Sequence, residues 1–266
     1  MTQLTREQHG AVALIRFADL PGGYMDEETV AELDSLLSDM EEDRATRVLL
    51  FTGGLPEIFI RHYSVTKLAA LADQLRRRGA SFHPDRPAPE RGLAPVCRRL
   101  EALPKPVIAA INGTCMGGGF EFALACDIRL AAAGDYSIGL PEVNIGILPG
   151  AGGTQRLPRL VGMARALEMI LRGRTVAPRE ALSLGMVHEV IERDLLGRAL
   201  ALGAELAAKS PLALGHIKRL VRGTMSPPSP SGLADERTLF LDLLVSDQAV
   251  ERMARMNRPG GDIRKV

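Results

Sequence analysis

The chain of 266 residues has no tryptophan and almost no excess of charge of either sign. Its 33 basic and 32 acidic side chains leave a formal net charge of +1. Proteins that bind nucleic acid or an anionic membrane surface through bulk charge need a marked basic excess, so the balance argues against both partners. Aromatic residues make up only 4% of the chain, which also disfavours a dedicated aromatic cage for a ligand.

The sequence also lacks long apolar runs and the pattern of a secretory signal peptide. No run is long and apolar enough to span a bilayer, and the first residues, MTQLTREQHG, do not place an apolar segment after a charged one. The three cysteines, Cys97, Cys115 and Cys126, are odd in number and lie among apolar residues, which predicts reduced thiols in a protein core. Cysteines and histidines do not occur at the spacing of a metal site. These features predict a cytoplasmic protein without a metal or a membrane segment.

Strand-like and helix-like segments alternate through most of the chain. Apolar and β-branched content predicts strands at VALIRF, RVLLFTG, PVIAAIN, DIRLAAA, YSIG and MVHEVI. A helix is predicted to begin after Asp26, which can cap it. Further helices are predicted over residues 164–171 and 179–184. The alternation predicts an α/β domain with parallel strand pairing. Periodicity alone does not separate a doubly wound sheet from a superhelix of ββα turns.

The end of the chain has a different character. Three helical segments, LLGRALALGAELAAKS, PLALGHIKRLVRG and LADERTLFLDLLVSDQAVERMARM, follow one another, and the Pro/Ser-rich linker SPPSPSG separates the last two. This pattern predicts a core domain over residues 1–195 and a C-terminal helical subdomain over residues 196–266. We expect the subdomain to pack over the core or over a neighbouring subunit.

A second irregular region spans residues 70–94. It is rich in proline, glycine and charge, which predicts a mobile loop. Three consecutive arginines, Arg76, Arg77 and Arg78, lie within it at the start of its proline- and glycine-rich part. The simplest interpretation is a solvated helix face, and the alternative is an electrostatic grip on phosphate groups of a ligand.

Two glutamates stand beside glycine-rich turns in the segment 104–155. Glu121 follows the three glycines 117–119 at the predicted start of an apolar helix, and Glu142 comes shortly before a second glycine-rich turn, residues 149–153. Apolar surroundings disfavour the ionised form of a carboxyl group, so its pKa rises toward neutrality. Two such groups in one pocket can hold a water molecule and divide the general-base and general-acid roles between them.

The triple glycine suits an oxygen that gains negative charge during a reaction. The first N–H groups of a helix have no intrahelical partner, and a small residue lets a ligand oxygen approach them closely. The positive end of the helix dipole adds to their effect. A tight turn into a buried helix explains three glycines equally well. It is their combination with both glutamates and the second glycine turn that indicates a catalytic site.

These residues resemble the crotonase family, also called the enoyl-CoA hydratase/isomerase family. The stretch PKPVIAAINGTCMGGGFEFALACDIRLA is similar to its first central motif, and LPEVNIGILPGAGGTQRLPRLVG is similar to the second. The resemblance extends from residue 8 to the C-terminal helices. It implies an α/β fold, the crotonase-like superhelix of ββα turns with a C-terminal helical subdomain. It also implies a homo-oligomer, either a trimer or a dimer of trimers.

The resemblance implies a CoA-thioester lyase that adds water across the 2,3 double bond of a 2-enoyl-CoA. Glu121 is then the base that activates the water, Glu142 supplies the proton to Cα, and the backbone N–H groups of Gly118 and Tyr63 form the oxyanion hole. No metal or redox cofactor is implied, because coenzyme A enters as part of the acyl-CoA thioester substrate. An enoyl-CoA isomerase, another thioester reaction such as hydrolysis or retro-aldol cleavage, and a non-catalytic CoA-binding or scaffold protein stay open as alternatives.

The loop of the first oxyanion donor departs from the family pattern. An Ala-Gly-Ala-Asp-like turn is usual there, whereas this chain has FIRHYSV, with His62 at the glycine position and Tyr63 at the donor position. A backbone N–H donates from any residue except proline, so Tyr63 can still serve, but a histidine in a glycine conformation is strained and we expect a different loop geometry. We expect Arg61, His62 and Leu140 to contact the substrate. His62 also remains open as a third catalytic group, because histidine titrates near neutrality.

Overall fold

The computed structural model describes residues 2–18, 20–224 and 230–262. Its strands are β1 Leu4–His9, β2 Val12–Phe17, β3 Tyr24–Met25, β4 Val48–Gly53, β5 Ile58–Ile60, β6 His62–Tyr63, β7 Val107–Ile111, β8 Thr114–Met116, β9 Ile128–Ala132, β10 Ile138–Gly139, β11 Thr175–Val176 and β12 Glu189–Ile191. Its α-helices are α1 Glu27–Glu42, α2 Val65–Arg77, α3 Leu93–Ala102, α4 Gly118–Ala125, α5 Gly153–Val161, α6 Met163–Leu171, α7 Pro178–Ser183, α8 Leu195–Ala207, α9 Pro211–Thr224, α10 Pro230–Leu244 and α11 Asp247–Met256. Two 3₁₀ helices span Pro21–Gly23 and Glu142–Ile145.

Three sheets organise the chain. The largest has the strand order β1-β2-β4-β7-β9-β12, in which β1 runs antiparallel to β2 and all other neighbours are parallel. A second sheet has the order β11-β10-β8-β5, with an antiparallel pair only at β11, and β3 pairs with β6 in parallel. The predicted α/β fold with parallel pairing is confirmed.

The central strands are buried on both faces of the six-stranded sheet. Every residue of β4 and β7 is buried. On one face lies a cluster of aromatic rings that includes Phe17, Phe51 and Phe122, with centroids 5.0 to 6.0 Å apart. On the other face lies α8, which packs Ala199 among the strand residues. Strands covered on both faces form continuous apolar runs, which is why the sequence predicts them well.

The predicted starts and lengths of the early helices are confirmed. Asp26 caps α1 by accepting hydrogen bonds from the N–H groups of Glu28 and Thr29 at 3.0 and 3.1 Å. The Thr29 hydroxyl accepts in return from the Asp26 N–H at 3.1 Å, which completes a reciprocal capping box. Helices α6 and α7 cover the other two predicted segments.

The last predicted helical segment is two helices, so the prediction of a single one was wrong. The break lies before α11, where the Ser246 hydroxyl accepts from the Ala249 N–H at 3.2 Å and caps the new helix. Residues 226–229 of the predicted linker lie outside the described residues, and its last three residues begin α10. The division into residues 1–195 and 196–266 stays a prediction.

The region between α2 and α3, residues 78–92, contains neither helix nor extended strand, in agreement with the predicted irregular segment. Of the three arginines, Arg77 and Arg78 are exposed, while Arg76 donates to the carboxylate of Asp247 on α11 at 2.6 Å. The arginines therefore form a solvated end of α2, and one of them, Arg76, makes an ion pair with the C-terminal helix α11.

The three cysteines lie in the protein core, as the sequence predicts. Cys97, Cys115 and Cys126 are buried and unpaired, and burial raises the pKa of Cys126 to about 12. Within the described ranges, none of the helices has the length and apolarity required to cross a bilayer.

Candidate active site

A cavity of about 390 Å³ opens between α2, α4, α10 and the 3₁₀ helix Glu142–Ile145. Five of the residues predicted from the sequence line it: Glu121, Glu142, Gly118, Tyr63 and His62. These residues come from three separate stretches of the chain, which the parallel strands bring to the same edge. The structure therefore places both carboxylates and both predicted oxyanion residues around one space.

Glu121 lies in the first turn of α4 and is only 3% exposed. Its Oε1 accepts hydrogen bonds from the N–H groups of Ala151 and Gly153 at 2.7 and 2.8 Å. Both donors belong to the second glycine-rich turn and the start of α5. A Cβ at Gly153 would lie 3.1 Å from Glu121 Oε1 and 2.8 Å from the side chain of Leu140, so only glycine leaves room for this contact. The second glycine turn thus orients the carboxylate.

The pKa of Glu121 is raised above the ordinary glutamate value. Burial is the largest cause, because it penalises the charged form. The N–H groups of Gly153 and Ala151 and the positive charge of Arg156 act in the opposite direction. The result is a carboxylate with a fixed orientation that is a stronger base than an exposed glutamate.

Glu142 begins the 3₁₀ helix Glu142–Ile145 and is 7% exposed. Its carboxylate lies over the glycine that precedes α4, because a Cβ at Gly117 would be 3.2 Å from Glu142 Oε1. Gly117 also has φ = +51°, a left-handed conformation that favours glycine. Position 117 therefore requires glycine for its conformation and for the space that Glu142 occupies.

The two predicted oxyanion donors lie side by side. Gly118 is the first residue of α4, so no carbonyl within the helix accepts its N–H. Directly after β6, the Ser64 N–H donates to the Met25 carbonyl at 2.7 Å. Because successive amides of an extended chain point to opposite edges, the Tyr63 N–H points away from β3. A Cβ at Gly118 would be 3.6 Å from the Tyr63 nitrogen and 3.2 Å from its Cβ. The close approach of the two backbones depends on glycine.

His62 is not strained, because the loop does not adopt a glycine conformation and has the different geometry that the sequence led us to expect. It lies in β6, which pairs with β3, and the non-glycine residues with positive φ in the described ranges are Glu57 and Asp194. His62 is 4% exposed, its Nδ1 lies 2.7 Å from the Tyr63 carbonyl oxygen, and its ring centroid is 4.6 Å from that of Tyr24. Burial lowers the pKa of His62, which favours the neutral ring. Nδ1 carries a proton because its partner, the Tyr63 carbonyl oxygen, can only accept. An ordinary strand takes the place of the glycine turn.

Two predicted substrate contacts lie outside the cavity lining. Arg61 points toward the turn that precedes β3, where its Nε donates to the Gly22 carbonyl at 3.2 Å and its guanidinium lies 5.8 Å from the Tyr24 ring centroid. Leu140 is buried beneath Gly153 and belongs to the hydrophobic core. Arg61 lies between β5 and β6, and its contacts with Gly22 and Tyr24 direct it away from the cavity, which the sequence alone did not show.

The apolar walls of the cavity were not predicted from the sequence. One wall consists of Leu68, Leu71 and Leu75 on α2, and another includes Phe240 and Leu241 on α10. The spacing of three and four residues along α2 is the available signal, because such residues share one helix face. It shows that α2 has an apolar face, but it does not show that this face borders a cavity.

Comparison with known proteins identifies the family of this chain. A family model described as enoyl-CoA hydratase/isomerase matches residues 7–257, which is nearly the whole chain. The chain belongs to this family. Both glutamates, both oxyanion residues and the apolar walls lie within the matched region.

Relatives from the family are moderately similar in sequence. The fatty acid oxidation complex subunit alpha of Shewanella sp. (strain ANA-3) is 37% identical over 228 residues, which is 83% of this chain but 30% of that protein. The solved structure of Pseudomonas aeruginosa DspI is 35% identical, has a TM-score of 0.74, and is matched over 91% of this chain and 96% of the other. An enoyl-CoA hydratase from Bacillus anthracis is 30% identical with a TM-score of 0.74, over 92% of each chain.

Two facts follow from these matches for this member of the family. The structural neighbours have the crotonase fold, so the predicted superhelix of ββα turns is confirmed. The chain spans about 30% of the length of the curated relatives it matches, which places the similarity in one part of a longer protein.

Proposed function

We propose that this family member is an enoyl-CoA hydratase, which adds water across the 2,3 double bond of a 2-enoyl-CoA to give a 3-hydroxyacyl-CoA. The observation that carries the proposal is the pair of buried carboxylates, Glu121 and Glu142, on one cavity with two adjacent backbone donors. The relatives described as enoyl-CoA hydratase and as fatty acid oxidation complex subunit alpha support the same reaction class.

The thioester carbonyl oxygen would accept hydrogen bonds from the N–H groups of Gly118 and Tyr63. As the water oxygen bonds to Cβ, Glu121 takes a proton from that water, and the electrons of the double bond move onto the carbonyl oxygen. Donors already in place stabilise this enolate. Protonated Glu142 then gives its proton to Cα as the thioester carbonyl forms again. One water is consumed, and the proton left on Glu121 returns to Glu142 through solvent.

The hydrogen bonds of Glu121 support its role as the base. Its Oε1 is held by two N–H groups, so Oε2 is the oxygen available to a water in the cavity. Its raised pKa, caused mainly by burial, makes it a better proton acceptor than an ordinary glutamate. Fixed orientation and matched basicity are the two requirements for general-base catalysis.

The cavity supports an acyl thioester as the substrate. Its apolar walls on α2 and α10 suit an acyl chain, and Arg91 and Arg237 on its lining are suitable partners for phosphate groups. Arg77 and Arg78 remain candidates for the same phosphates. We propose that the reaction uses no metal or redox cofactor, that the protein is cytoplasmic, and that it assembles into trimers or dimers of trimers.

The test is the loss of the conjugated enoyl-thioester absorbance with 2-enoyl-CoAs of different chain length. We expect Glu121→Gln and Glu142→Gln each to lower kcat by at least about a hundredfold, since losing ~3 kcal/mol of transition-state stabilisation has this effect. Glu192→Gln changes an exposed glutamate paired with Arg179 and serves as the control, with an unchanged rate. Near-normal hydration by Glu121→Gln would contradict its role as the base.

The alternatives predict different outcomes of the same test. An isomerase would create the conjugated absorbance from a 3-enoyl-CoA and would depend on Glu142 much more than on Glu121. A hydrolase would release free coenzyme A thiol, and a retro-aldol lyase would cleave a 3-hydroxyacyl-CoA. A non-catalytic scaffold would give no turnover with any thioester.

A further inference from the structure

A buried arginine lies directly behind the turn that holds Glu121. Arg156, on α5, is 6% exposed, and its Nη1 donates to the Ala151 carbonyl at 2.6 Å. Ala151 is also the residue whose N–H donates to Glu121. The guanidinium fills the concave side of the turn, because a Cβ at Gly152 would lie 1.9 Å from Nη1. Arg156 therefore contacts the turn at the point where it orients the carboxylate.

A carboxylate on α3 fixes the other side of this guanidinium. Arg156 Nε and Nη2 donate to the two oxygens of Glu101 at 2.8 and 2.7 Å. Glu101 is itself held from α9, where Arg222 Nη1 donates to it at 2.9 Å. This bidentate pair fixes the plane of the guanidinium, which a lysine ammonium could not do. The rigid chain of contacts runs from α9 through α3 and α5 to the glycine turn.

We propose that Arg156 is a positioning residue for Glu121, and that it holds the turn 151–153 in the conformation that points two N–H groups at the carboxylate. The inference rests on the proposed role of Glu121 as the base. It assigns a task to a buried ion pair that otherwise costs desolvation energy. Neither Arg156 nor Glu101 lines the cavity, so both would act through the turn and not on the substrate.

The charges around Glu121 make this proposal testable. The positive charge of Arg156 on α5 lowers the Glu121 pKa. Glu142 lines the same cavity, and Cys97 on α3 contributes a thiol that burial keeps neutral. Glu101 lies behind Arg156 and offsets part of its charge. Loss of the Arg156 charge should therefore raise the Glu121 pKa, and loss of the Glu101 charge should lower it. Charge alone produces both of these shifts, so Arg156→Lys, which keeps the charge and loses the bidentate contact, is the variant that isolates the positioning role.

The experiment combines kinetics with infrared titration. The C=O stretch of protonated Glu121, assigned by its loss in a Glu121→Gln background, is followed against pH in the wild type, Arg156→Gln, Arg156→Lys and Glu101→Gln. Steady-state hydration of a 2-enoyl-CoA is measured for the same proteins. The infrared signal does not depend on turnover, so it still decides the proposal if the wild type fails to hydrate the substrate.

For Arg156→Gln we expect kcat to fall about 10- to 100-fold with KM little changed, since a misplaced catalytic group has this effect, and we expect Glu121 to titrate at higher pH. Arg156→Lys keeps the charge but no longer holds the turn, so the two N–H groups that lower the Glu121 pKa are misplaced. We therefore expect kcat to fall and Glu121 to titrate at higher pH in this variant as well. Glu101→Gln should titrate at lower pH. The control Arg172→Gln breaks an exposed pair with Glu168 on α6 and should change neither quantity.

Wild-type kcat in Arg156→Gln, or an unshifted Glu121 titration in that variant, would overturn the proposal. If Arg156→Gln does not fold, Arg156→Lys decides the proposal. In that case full wild-type kcat or an unshifted Glu121 titration in Arg156→Lys gives the same negative result.

Discussion

At the scale of single residues, the site depends on positions where a side chain is absent. Gly117 needs a left-handed backbone and also leaves the space next to Glu142 Oε1, while Gly118 lets the helix start approach Tyr63. In the proposed reaction the two glutamates supply the chemistry, and these glycines set the distance between the reacting groups. Replacing a glycine here therefore tests geometry without removing any reactive group.

We expect Gly117→Ala to fold and to lose most of its hydration rate. An alanine at φ = +51° costs about 1–2 kcal/mol of stability, and its Cβ would press on Glu142 Oε1 at 3.2 Å. Gly79→Ala is the matched control, because Gly79 has φ = +61° and nothing within 4 Å of a built Cβ. Both variants should lose similar stability in chemical denaturation, and only Gly117→Ala should lose kcat. Equal rates in the two would contradict the account of Gly117.

At the scale of elements, the start of α1 connects the N-terminal segment that leads into β1 to the oxyanion strand, β6, which carries the proposed Tyr63 donor. Asp26 accepts from the first turn of α1 and from the side-chain amide of Gln3 at 3.2 Å. Met25, the residue before it, is paired with Tyr63. The cap therefore fixes where α1 begins relative to β3 and, through β3, relative to the strand that carries the Tyr63 donor.

We expect Asp26→Ala to lower the free energy of unfolding by about 1–2 kcal/mol, as the loss of a helix cap does. Burial acts to raise the pKa of Asp26, but the hydrogen bonds from Thr29 and Gln3 outweigh it and the pKa is lowered. A lowered pKa means that the cap's stabilisation is complete above the unfolded-state pKa and is lost as the pH falls through the folded-state value. Denaturation at neutral and acidic pH measures this, and the stability gap between wild type and Asp26→Ala should shrink in acid. Asp39→Ala, at an exposed position on the same helix, should change little.

The elements also show what the sequence could predict. Strands β4 and β7 were identified because burial on both faces leaves a continuous apolar run. Strand β1 carries LTREQH at an exposed edge, and β5 and β8 have three residues each, so neither apolar pattern nor length marks them. Short or exposed strands are defined by hydrogen-bond pairing with strands that are distant in sequence, and no local sequence pattern records that pairing.

The catalytic side of the site was more predictable than its walls. Glu121 and Glu142 occur within short motifs, where the glycines that position them are adjacent in sequence. The walls combine α2 with α10, which begins at Pro230, and no local pattern records that these helices meet. The direction of Arg61 depends on the pairing of β6 with β3, which is equally non-local.

At the scale of the whole molecule, the cavity connects the sheet core to the C-terminal helices. Its lining includes α4 and the oxyanion strand on one side and α10 on the other. Helix α11 packs against α2 through a cluster that contains Val65, Leu244 and Met253. A ligand in the cavity would therefore contact both predicted parts of the chain at the same time.

We expect saturating 2-enoyl-CoA to raise the thermal midpoint and to keep a single unfolding transition. A ligand that binds only the folded state stabilises it by about 2.7 kcal/mol at a hundred times its Kd. Coenzyme A without an acyl chain should give a smaller shift at the same concentration, because it leaves the apolar walls uncovered. Calorimetry with both ligands provides the measurement. No shift with either ligand, or two transitions that respond separately, would contradict a shared binding site.

The oxyanion strand has a consequence for how such proteins diverge. The donor at position 63 belongs to the main chain, and β6 holds it by strand pairing instead of a glycine turn. Mutation can therefore exchange the side chain at position 63 for any residue except proline while the donor itself is inherited unchanged. Any search for relatives that demands a glycine at position 62 will overlook lineages in which ordinary extended backbone performs the same task.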